Sequence, residues 1–169
     1  MKPGDHPDFF RLPPPEGRSR ESSLRLDAEG RFWHEGNPVE HAGMALAFAS
    51  WVQRHPDDGR YILNNGYDWS YLQVEDTPFH VRAVRPDAGG RELSIELSDG
   101  STELLDPAAL ELSAEGVLYM AVKQGAFRAR FARGAQLALA PWLSEAADGA
   151  VFLDFGGRRW SMPNTPPEA

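Results

Sequence analysis

Two pairs of tryptophans with the same separation constrain the fold more than any other feature of the chain. Trp51 and Trp69 are 18 residues apart, and so are Trp142 and Trp160. An Asp-Gly step, a short apolar run and a glycine turn lie between the members of each pair. Self-similarity at a fixed spacing is the sequence signature of a repeated structural unit. The pattern therefore predicts two structurally related halves.

The composition argues against several classes of protein. The 169 residues carry a formal net charge of −8, which disfavours binding to the phosphate backbone of nucleic acids. The absence of cysteine excludes disulfides and thiolate metal sites, and it fits a reducing compartment. The chain has no apolar run long enough to span a membrane, and its first residues lack the apolar core of a signal peptide. We expect a cytoplasmic protein that binds neither nucleic acid nor membranes.

Each half is predicted to contain strands, one helix and two further strands. Apolar residues at helical spacing predict a first helix over residues 43–55. Its apolar face would consist of Met44, Ala47, Phe48, Trp51 and Val52. The same spacing recurs in the second half, where Pro141 falls inside the pattern. Because proline disrupts a helix interior, we expect that helix to kink or to start a new turn there.

Alternating apolar residues and glycine turns predict the strands, including extra ones between residues 79 and 112. The predicted fold class is α+β, with two structurally related halves, each a small antiparallel sheet with one helix, plus extra middle strands.

The chain divides into four segments. Residues 1–23 are an irregular proline-rich leader that Phe9 and its apolar neighbours could pin to the body. The first half covers residues 24–76, and the second half with its extra strands covers residues 77–162. Residues 163–169 form a tail.

Several stretches resemble the DUF1285 family of bacterial proteins. They are residues 27–39, 58–63, 74–79 and, more loosely, 119–134. The most specific stretch is Asp27-Ala28-Glu29-Gly30-Arg31-Phe32-Trp33-His34-Glu35-Gly36-Asn37-Pro38-Val39. The resemblance covers about residues 24–162, and the chain departs from the family pattern at residues 64–70, which carry an extra turn. It implies a small α+β fold with a repeated motif, no established activity and a role in signal transduction proposed on structural grounds.

His34 and Glu35 form the most promising polar pair, at the end of a predicted strand. If the fold brings Arg60 and Asp76 into the same cleft, His34 beside a carboxylate could act as a base near neutral pH. The alternative is that His34 and Glu35 only cap and orient a turn. The histidines lack the spacing of a metal motif, and the chain has neither a phosphate-binding loop nor a nucleophile elbow. We therefore predict no metal and no cofactor.

Arg128, Arg130 and Arg133 crowd one strand and the approach to the second helix. Arginine forks bind carboxylates and phosphates, so the cluster could hold a small anionic molecule or a protein partner. Alternatively, the three arginines belong to a solvated strand face and pair with acidic residues.

The sequence favours a non-enzymatic binding or regulatory protein, whose ligand would lie in a groove between the halves. The binding residues would be His34, Glu35, Arg60, Asp76, Arg128, Arg130 and Arg133. The alternative is a hydrolase or isomerase that uses the His, Glu and Asp of this set. The oligomeric state stays open.

Overall fold

Short strands dominate the computed structural model, which describes residues 1–165 and, for side chains, residues 1–163. The chain divides into unit 1, from Met1 to Pro78, and unit 2, which begins at Phe79. Each unit contains one α-helix within the described residues, so the predicted α+β class is confirmed. The sequence-based boundaries at residues 23, 76 and 162 stay predictions.

Unit 1 consists of two small sheets and one helix. Its elements are β1 (Arg25–Leu26), β2 (Phe32–His34), β3 (Asn37–Pro38), α1 (Ala42–Trp51), β4 (Val52–Arg54), β5 (Tyr61–Asn64), β6 (Trp69–Tyr71) and β7 (Gln73–Val74). The sheets have the orders β3-β2-β1-β7 and β4-β5-β6. Neighbouring strands are antiparallel except β1 and β7, which are parallel. After the first sheet the chain forms α1 and the second sheet, and it then returns so that β7 runs in the same direction as β1. The prediction of a purely antiparallel sheet is therefore wrong for this pair of strands.

The first helix is shorter than predicted. It ends at Trp51, because Val52–Arg54 leave the helix and pair with β5 as strand β4. The predicted apolar face is also wrong in part, since Met44 is 50% exposed and Ala49 is the buried residue of α1. Phe48 is half-buried.

Unit 2 is larger and contains the extra middle strands. Its elements are β8 (Phe79–Pro86), β9 (Leu93–Leu97), β10 (Thr102–Leu104), β11 (Leu110–Ser113), β12 (Leu118–Val122), β13 (Phe127–Phe131), α2 (Arg133–Leu139), β14 (Leu143–Glu145), β15 (Val151–Phe155), β16 (Arg158–Ser161) and β17 (Asn164–Thr165). The main sheet has the order β10-β9-β8-β13-β12-β11-β17, and a second sheet has the order β14-β15-β16. The pairs β8–β13 and β11–β17 are parallel, so this sheet is mixed rather than antiparallel.

Local patterns in unit 2 gave correct predictions. Leu93, Ile95 and Leu97 alternate in sequence and are buried along β9, as expected for a half-buried strand. The second helix ends at Leu139 and is followed by a 3-10 turn in which Pro141 is the second residue. The predicted new turn at Pro141 is confirmed.

The ends of the chain differ from their predicted character. The leader contains a 3-10 turn over Pro3–Asp5, and Phe9 is buried in the unit 1 core. The predicted tail begins with an exposed Pro163 and continues into β17, whereas residues 166–169 lie outside the described residues. Neither described α-helix is long and apolar enough to cross a membrane.

Candidate functional site

A cavity of about 230 Å³ in unit 1 is lined by three segments of the chain. One wall is the leader, which contributes Pro14, Pro15 and Arg18. The end of α1 contributes Phe48 and Trp51 to a second wall. The hairpin β5–β6 provides the third wall. The site therefore combines an apolar aromatic surface with arginine side chains.

The turn of the β5–β6 hairpin fixes the polar end of the cavity. The Asn65 side-chain oxygen accepts hydrogen bonds from the N–H groups of Tyr67 and Asp68, both at 2.8 Å. Gly66 adopts a φ of 85°, which glycine tolerates at no steric cost. The hairpin predicted at Asn65-Gly66 is confirmed, and its turn sets Asp68 and Trp69 at the start of β6.

Trp69 is the central aromatic residue of the site. Its side chain is 6% exposed and packs in one hydrophobic cluster with Phe9 and Ile62. The ring centroid of His55 lies 4.9 Å from that of Trp69, and the ring of Tyr71 meets Trp69 edge-on at 5.2 Å. Aromatic pairs at such separations add to the energy of burial, so Trp69 has a fixed position.

Arg20 ties the leader to the hairpin. One terminal nitrogen donates to the Asp68 carboxylate at 2.5 Å and to the Trp69 carbonyl at 2.8 Å. The other terminal nitrogen donates to the Leu12 and Pro13 carbonyls, both at 3.4 Å. The guanidinium carbon lies 4.4 Å from the centre of the Trp69 ring, within the range of a cation–π contact. Arg20 therefore holds the leader against the β5–β6 hairpin.

Two cavity-lining side chains each have a buried donor without a hydrogen-bond partner among the described residues. The donors are Nε of Arg20 and the indole Nε1 of Trp69. Both side chains line the cavity, and the Arg20 side chain is only 16% exposed. The second cavity-lining cation, Arg18, makes no ion pair within the described part of the chain. The cavity thus offers donors and positive charge to an acceptor that unit 1 does not supply.

Arg60, a predicted binding residue, is already neutralised. It donates to both oxygens of Glu21, at 2.7 and 3.0 Å, and its guanidinium lies 3.6 Å from the centre of the Tyr71 ring. The hydrogen bond from Arg60 lowers the pKa of Glu21. The Tyr71 hydroxyl donates to Asp58 at 2.6 Å and lowers the pKa of that carboxyl. Arg60 therefore belongs to a second tie between the leader and β5.

The predicted trio of His34, Glu35 and Asp76 is not brought together by the sheet register. His34 ends β2 and is exposed, and Glu35 takes a φ of 51° in the tight turn that follows. Strand β2 runs antiparallel to β1, whereas the strand before Asp76 runs parallel to it. His34 and Asp76 therefore lie toward opposite ends of the sheet, about four residues or ~13 Å apart along the strands. This geometry gives the catalytic alternative no support.

The predicted arginine cluster lies in unit 2. Arg128 and Arg130 are on β13, and Arg133 is the exposed first residue of α2. Arg128 donates to Glu111 at 3.0 Å and lies 4.0 Å from the centre of the Tyr119 ring. For Arg128 the structure shows the alternative in which the arginine pairs with an acidic residue on the strand face. No described residue of this cluster lines the unit 1 cavity.

Sequence reasoning missed Arg20, Asp68 and Trp69 as site residues. The Asn-Gly turn next to Trp69 was a usable signal, because it predicted a hairpin there. The ion pair of Arg20 with Asp68 spans 48 residues and has no local signature. Among the described residues, no group of three or more His, Asp or Glu side chains is arranged to hold a metal ion.

Comparison with known proteins shows the fold. No protein-family model matches the chain, and no curated protein matches it. A DUF1285 family protein from Silicibacter pomeroyi is 20% identical, with a TM-score of 0.65 over 96% of this chain and 89% of that one. A DUF1285 family protein from Shewanella baltica is also 20% identical, with a TM-score of 0.57 over 73% of this chain and 94% of that one. The resemblance drawn from the sequence is confirmed at the level of the fold: this chain has the fold of DUF1285 family proteins.

Proposed function

We propose that this chain is a non-enzymatic binding protein that holds a small anionic molecule in the unit 1 cavity. The observation that carries the proposal is the pair of buried donors without acceptors, Nε of Arg20 and Nε1 of Trp69. A buried polar group that lacks its hydrogen bond costs about 1–3 kcal/mol. Both atoms are closed to solvent, so a ligand oxygen reaches them when the side chains around the cavity shift, and accepting from these donors would then remove that cost.

The size and lining of the cavity define the rest of the ligand. An apolar cavity of about 150 Å³ accommodates benzene, and this cavity measures about 230 Å³. Phe48, Trp51 and Trp69 offer aromatic surface to a flat ring. Asp68 neutralises Arg20 in the cavity wall, so Arg18 supplies the net positive charge that favours a negative charge beside that ring. A small aromatic carboxylate combines these properties.

The indole N–H of Trp69 is a direct reporter of binding. In a ¹⁵N-labelled sample titrated with benzoate, we expect its resonance to move downfield and to saturate, because a new acceptor reaches the donor. Trp33 is the internal control, since its Nε1 already donates to Asp27 at 2.9 Å. Benzyl alcohol, which keeps the ring and lacks the charge, should bind more weakly.

The variant Trp69→Phe removes the donor and keeps an aromatic ring. Hydrogen bonds to charged groups contribute about 1.5–3 kcal/mol, so benzoate affinity should fall about 10- to 100-fold. The variant Trp33→Phe is matched in chemistry and should bind benzoate like the parent. Equal benzoate affinity in the two variants, or a Trp69 resonance that does not respond, would contradict the proposal.

A protein partner is the second form of this binding function. Helix α1 exposes Met44 and Leu46, each about half accessible to solvent. Exposed apolar surface is typical of protein contact regions. The regulatory role and the part in signal transduction implied by the family resemblance remain proposals. Pull-down with Met44→Ser/Leu46→Ser as the control bait separates this form from small-molecule binding.

We infer further that the two units descend from one duplicated segment. Both contain a hairpin, then a helix, then a three-stranded antiparallel sheet with the order of the sequence. In both, the next strand returns to pair in parallel with the first strand of the hairpin, as β7 with β1 and β17 with β11. A shared connectivity of this kind supports duplication.

A further inference from the structure

Unit 2 contains a separate groove at the tip of the β15–β16 hairpin. It consists of two adjoining cavities of about 200 and 410 Å³ that share Phe155, Gly156 and Arg158. Gly156 has a φ of 60°, and a Cβ at this position would stand 3.3 Å from the Arg91 carbonyl oxygen. The glycine therefore allows the turn between β8 and β9 to approach the β15–β16 turn, and the two turns wall the smaller cavity.

Two arginines of the smaller cavity lack ion-pair partners among the described residues. Arg91 and Arg158 both line it, and neither guanidinium contacts a carboxylate there. Asp87 is near Arg91 in sequence, but its Oδ1 accepts from the backbone N–H groups of Arg91 and Glu92, at 2.7 and 3.1 Å. The Arg158 guanidinium lies 5.1 Å from the centre of the Trp160 ring, on the wall of the cavity.

Many arginines elsewhere in the chain have an acidic partner. The chain has 25 acidic residues against 17 Lys and Arg, so carboxylates are in excess. Several arginines elsewhere are held in ion pairs with acidic side chains, as in Arg11–Asp57, Arg20–Asp68, Arg25–Glu75, Arg60–Glu21, Arg85–Glu96 and Arg159–Asp154. Two unpaired guanidinium groups in one cavity therefore leave a local positive charge in an acidic protein.

The floor of the same cavity is apolar. Leu93, Leu105 and Phe155 are buried and line it together with Pro107. Glu92 is the acidic member of the lining, so the two arginines still leave a net positive charge. A ligand for this cavity has a small apolar body and a compact anionic group.

We infer that the unit 2 groove binds a phosphate monoester of a small apolar group. The phosphate would lie between Arg91 and Arg158, because guanidinium forks match phosphate oxygens and carry the opposite charge. The apolar group would cover Leu93 and Leu105. A phosphate dianion fits two guanidinium groups better than a singly charged carboxylate does.

Calorimetric titration of the full chain with phenyl phosphate tests this inference. We expect saturable binding, and a loss of about tenfold in affinity in Arg158→Gln or Arg91→Gln, since one charge-assisted contact contributes about 1.5 kcal/mol. The control Arg85→Gln removes the same charge from β8 at a residue outside the groove, and it should keep the parent affinity. The variant Arg158→Lys keeps the charge and loses the fork, so its affinity should be intermediate.

Three results would overturn the inference. One is equal affinity of the parent and the double variant Arg91→Gln/Arg158→Gln, with the far-ultraviolet circular dichroism of both unchanged. Another is an equal loss of affinity in Arg85→Gln, which would reduce the effect to net charge. The third is benzoate binding at Arg158 as tightly as phenyl phosphate, which would exclude selection for a dianion.

Discussion

Two turns, one in each unit, have the same backbone conformation but different side-chain hydrogen bonds. One lies between β1 and β2 in unit 1, and the other lies between β11 and β12 in unit 2. They span residues 27–31 and 113–117. In both, the first residue donates its N–H to the carbonyl of the fifth at 2.9 Å, and its own carbonyl accepts from a glycine at the fourth position. The glycines have φ values of 87° and 80°. The same turn therefore forms around two different side chains, Asp27 and Ser113.

The Asp27 side chain accepts more hydrogen bonds than the Ser113 side chain. Its carboxylate accepts from the backbone N–H groups of Glu29 and Arg31, from Nε of Arg31 and from Nε1 of Trp33, at 2.8–3.1 Å. The Ser113 hydroxyl accepts from the fifth residue of its turn at 3.1 Å. Burial would raise the pKa of Asp27, but the hydrogen bonds from Trp33 and Arg31 outweigh it and lower the pKa. The comparison teaches that one backbone turn can carry different side-chain hydrogen bonds.

The three-stranded sheets of the two units have the same strand order but differ in the length of one link. Val52 pairs with Leu63 at the start of one sheet, and Leu143 pairs with Leu153 at the start of the other. The link between the first two strands spans residues 55–60 in unit 1 and residues 146–150 in unit 2, one residue shorter. In unit 2, the strands after this link therefore lie one residue earlier than the tryptophan spacing predicts.

This shift separates the two tryptophans that the sequence pattern equated. Asn64 pairs with Trp69 in unit 1, and Asp154 pairs with Arg159 at the same level of unit 2. Trp160 is one residue further along its strand and faces the opposite side of the sheet. The strand position that Trp69 occupies in unit 1, with its buried indole, is occupied in unit 2 by Arg159, which pairs with Asp154.

Exchange of the two tryptophans for alanine gives the largest expected difference. Trp69→Ala should lower the free energy of unfolding by about 4 kcal/mol, as expected for a buried tryptophan. Trp160→Ala should lower it by less than half as much, about 1.5 kcal/mol, because Trp160 is only half-buried. Urea titration followed by circular dichroism measures both. Similar losses would mean that the register does not place the two residues in different environments.

The two turns give the next largest difference. Asp27→Ala leaves the part-buried N–H groups of the Arg31 backbone and the Trp33 indole without an acceptor and should cost about 3 kcal/mol. Ser113→Ala removes one neutral hydrogen bond and should cost about 1 kcal/mol. The same urea titration compares them. If Ser113→Ala costs as much as Asp27→Ala, the additional bonds of Asp27 contribute nothing.

Local features of the fold could be predicted from the sequence. The alternation of Leu93, Ile95 and Leu97, the Asn65-Gly66 hairpin and the new turn at Pro141 each depend on residues a few positions apart. Their physical causes, which are side-chain alternation, glycine conformation and the missing proline N–H, act within that distance. The α+β class follows from the same local signals.

Long-range features could not be predicted. The leader is held by Arg20–Asp68 and Arg60–Glu21, whose partners are 48 and 39 residues apart, and nothing in either neighbourhood specifies the other. The tryptophan spacing misled because the link in unit 2 is one residue shorter, which places Trp160 one position further along its strand than Trp69 is along β6. The candidate site depends on both of these features.

The pH dependence of stability sharpens the comparison of the two turns. Because the folded-state pKa of Asp27 is lowered, its charge stabilises the fold above the unfolded pKa of about 3.9 and loses that effect as the pH falls through the folded value. Asp27→Asn should therefore be less stable than the parent at pH 6, by about 1.5 kcal/mol. The difference should shrink below about pH 4.

Urea titrations of the parent and of Asp27→Asn between pH 2 and pH 6 measure this dependence. Ser113→Ala is the control, because serine does not titrate and its difference from the parent should stay constant over the same range. A constant difference for Asp27→Asn as well would show that the Asp27 charge does not distinguish the two turns.

The ends of the two helices differ in how they accommodate proline. Pro141 is the second residue of its 3-10 turn, where an N–H would have no partner within the turn. Pro141→Ala should therefore cost only about 0.5–1 kcal/mol, through the greater freedom of the unfolded chain. Ser50 occupies the matching place one residue before Trp51, but it lies inside α1, so Ser50→Pro should cost about 3 kcal/mol. Thermal unfolding of both variants decides the point, since a Pro141→Ala loss as large as that of Ser50→Pro would show that the proline specifies the turn rather than merely being tolerated in it.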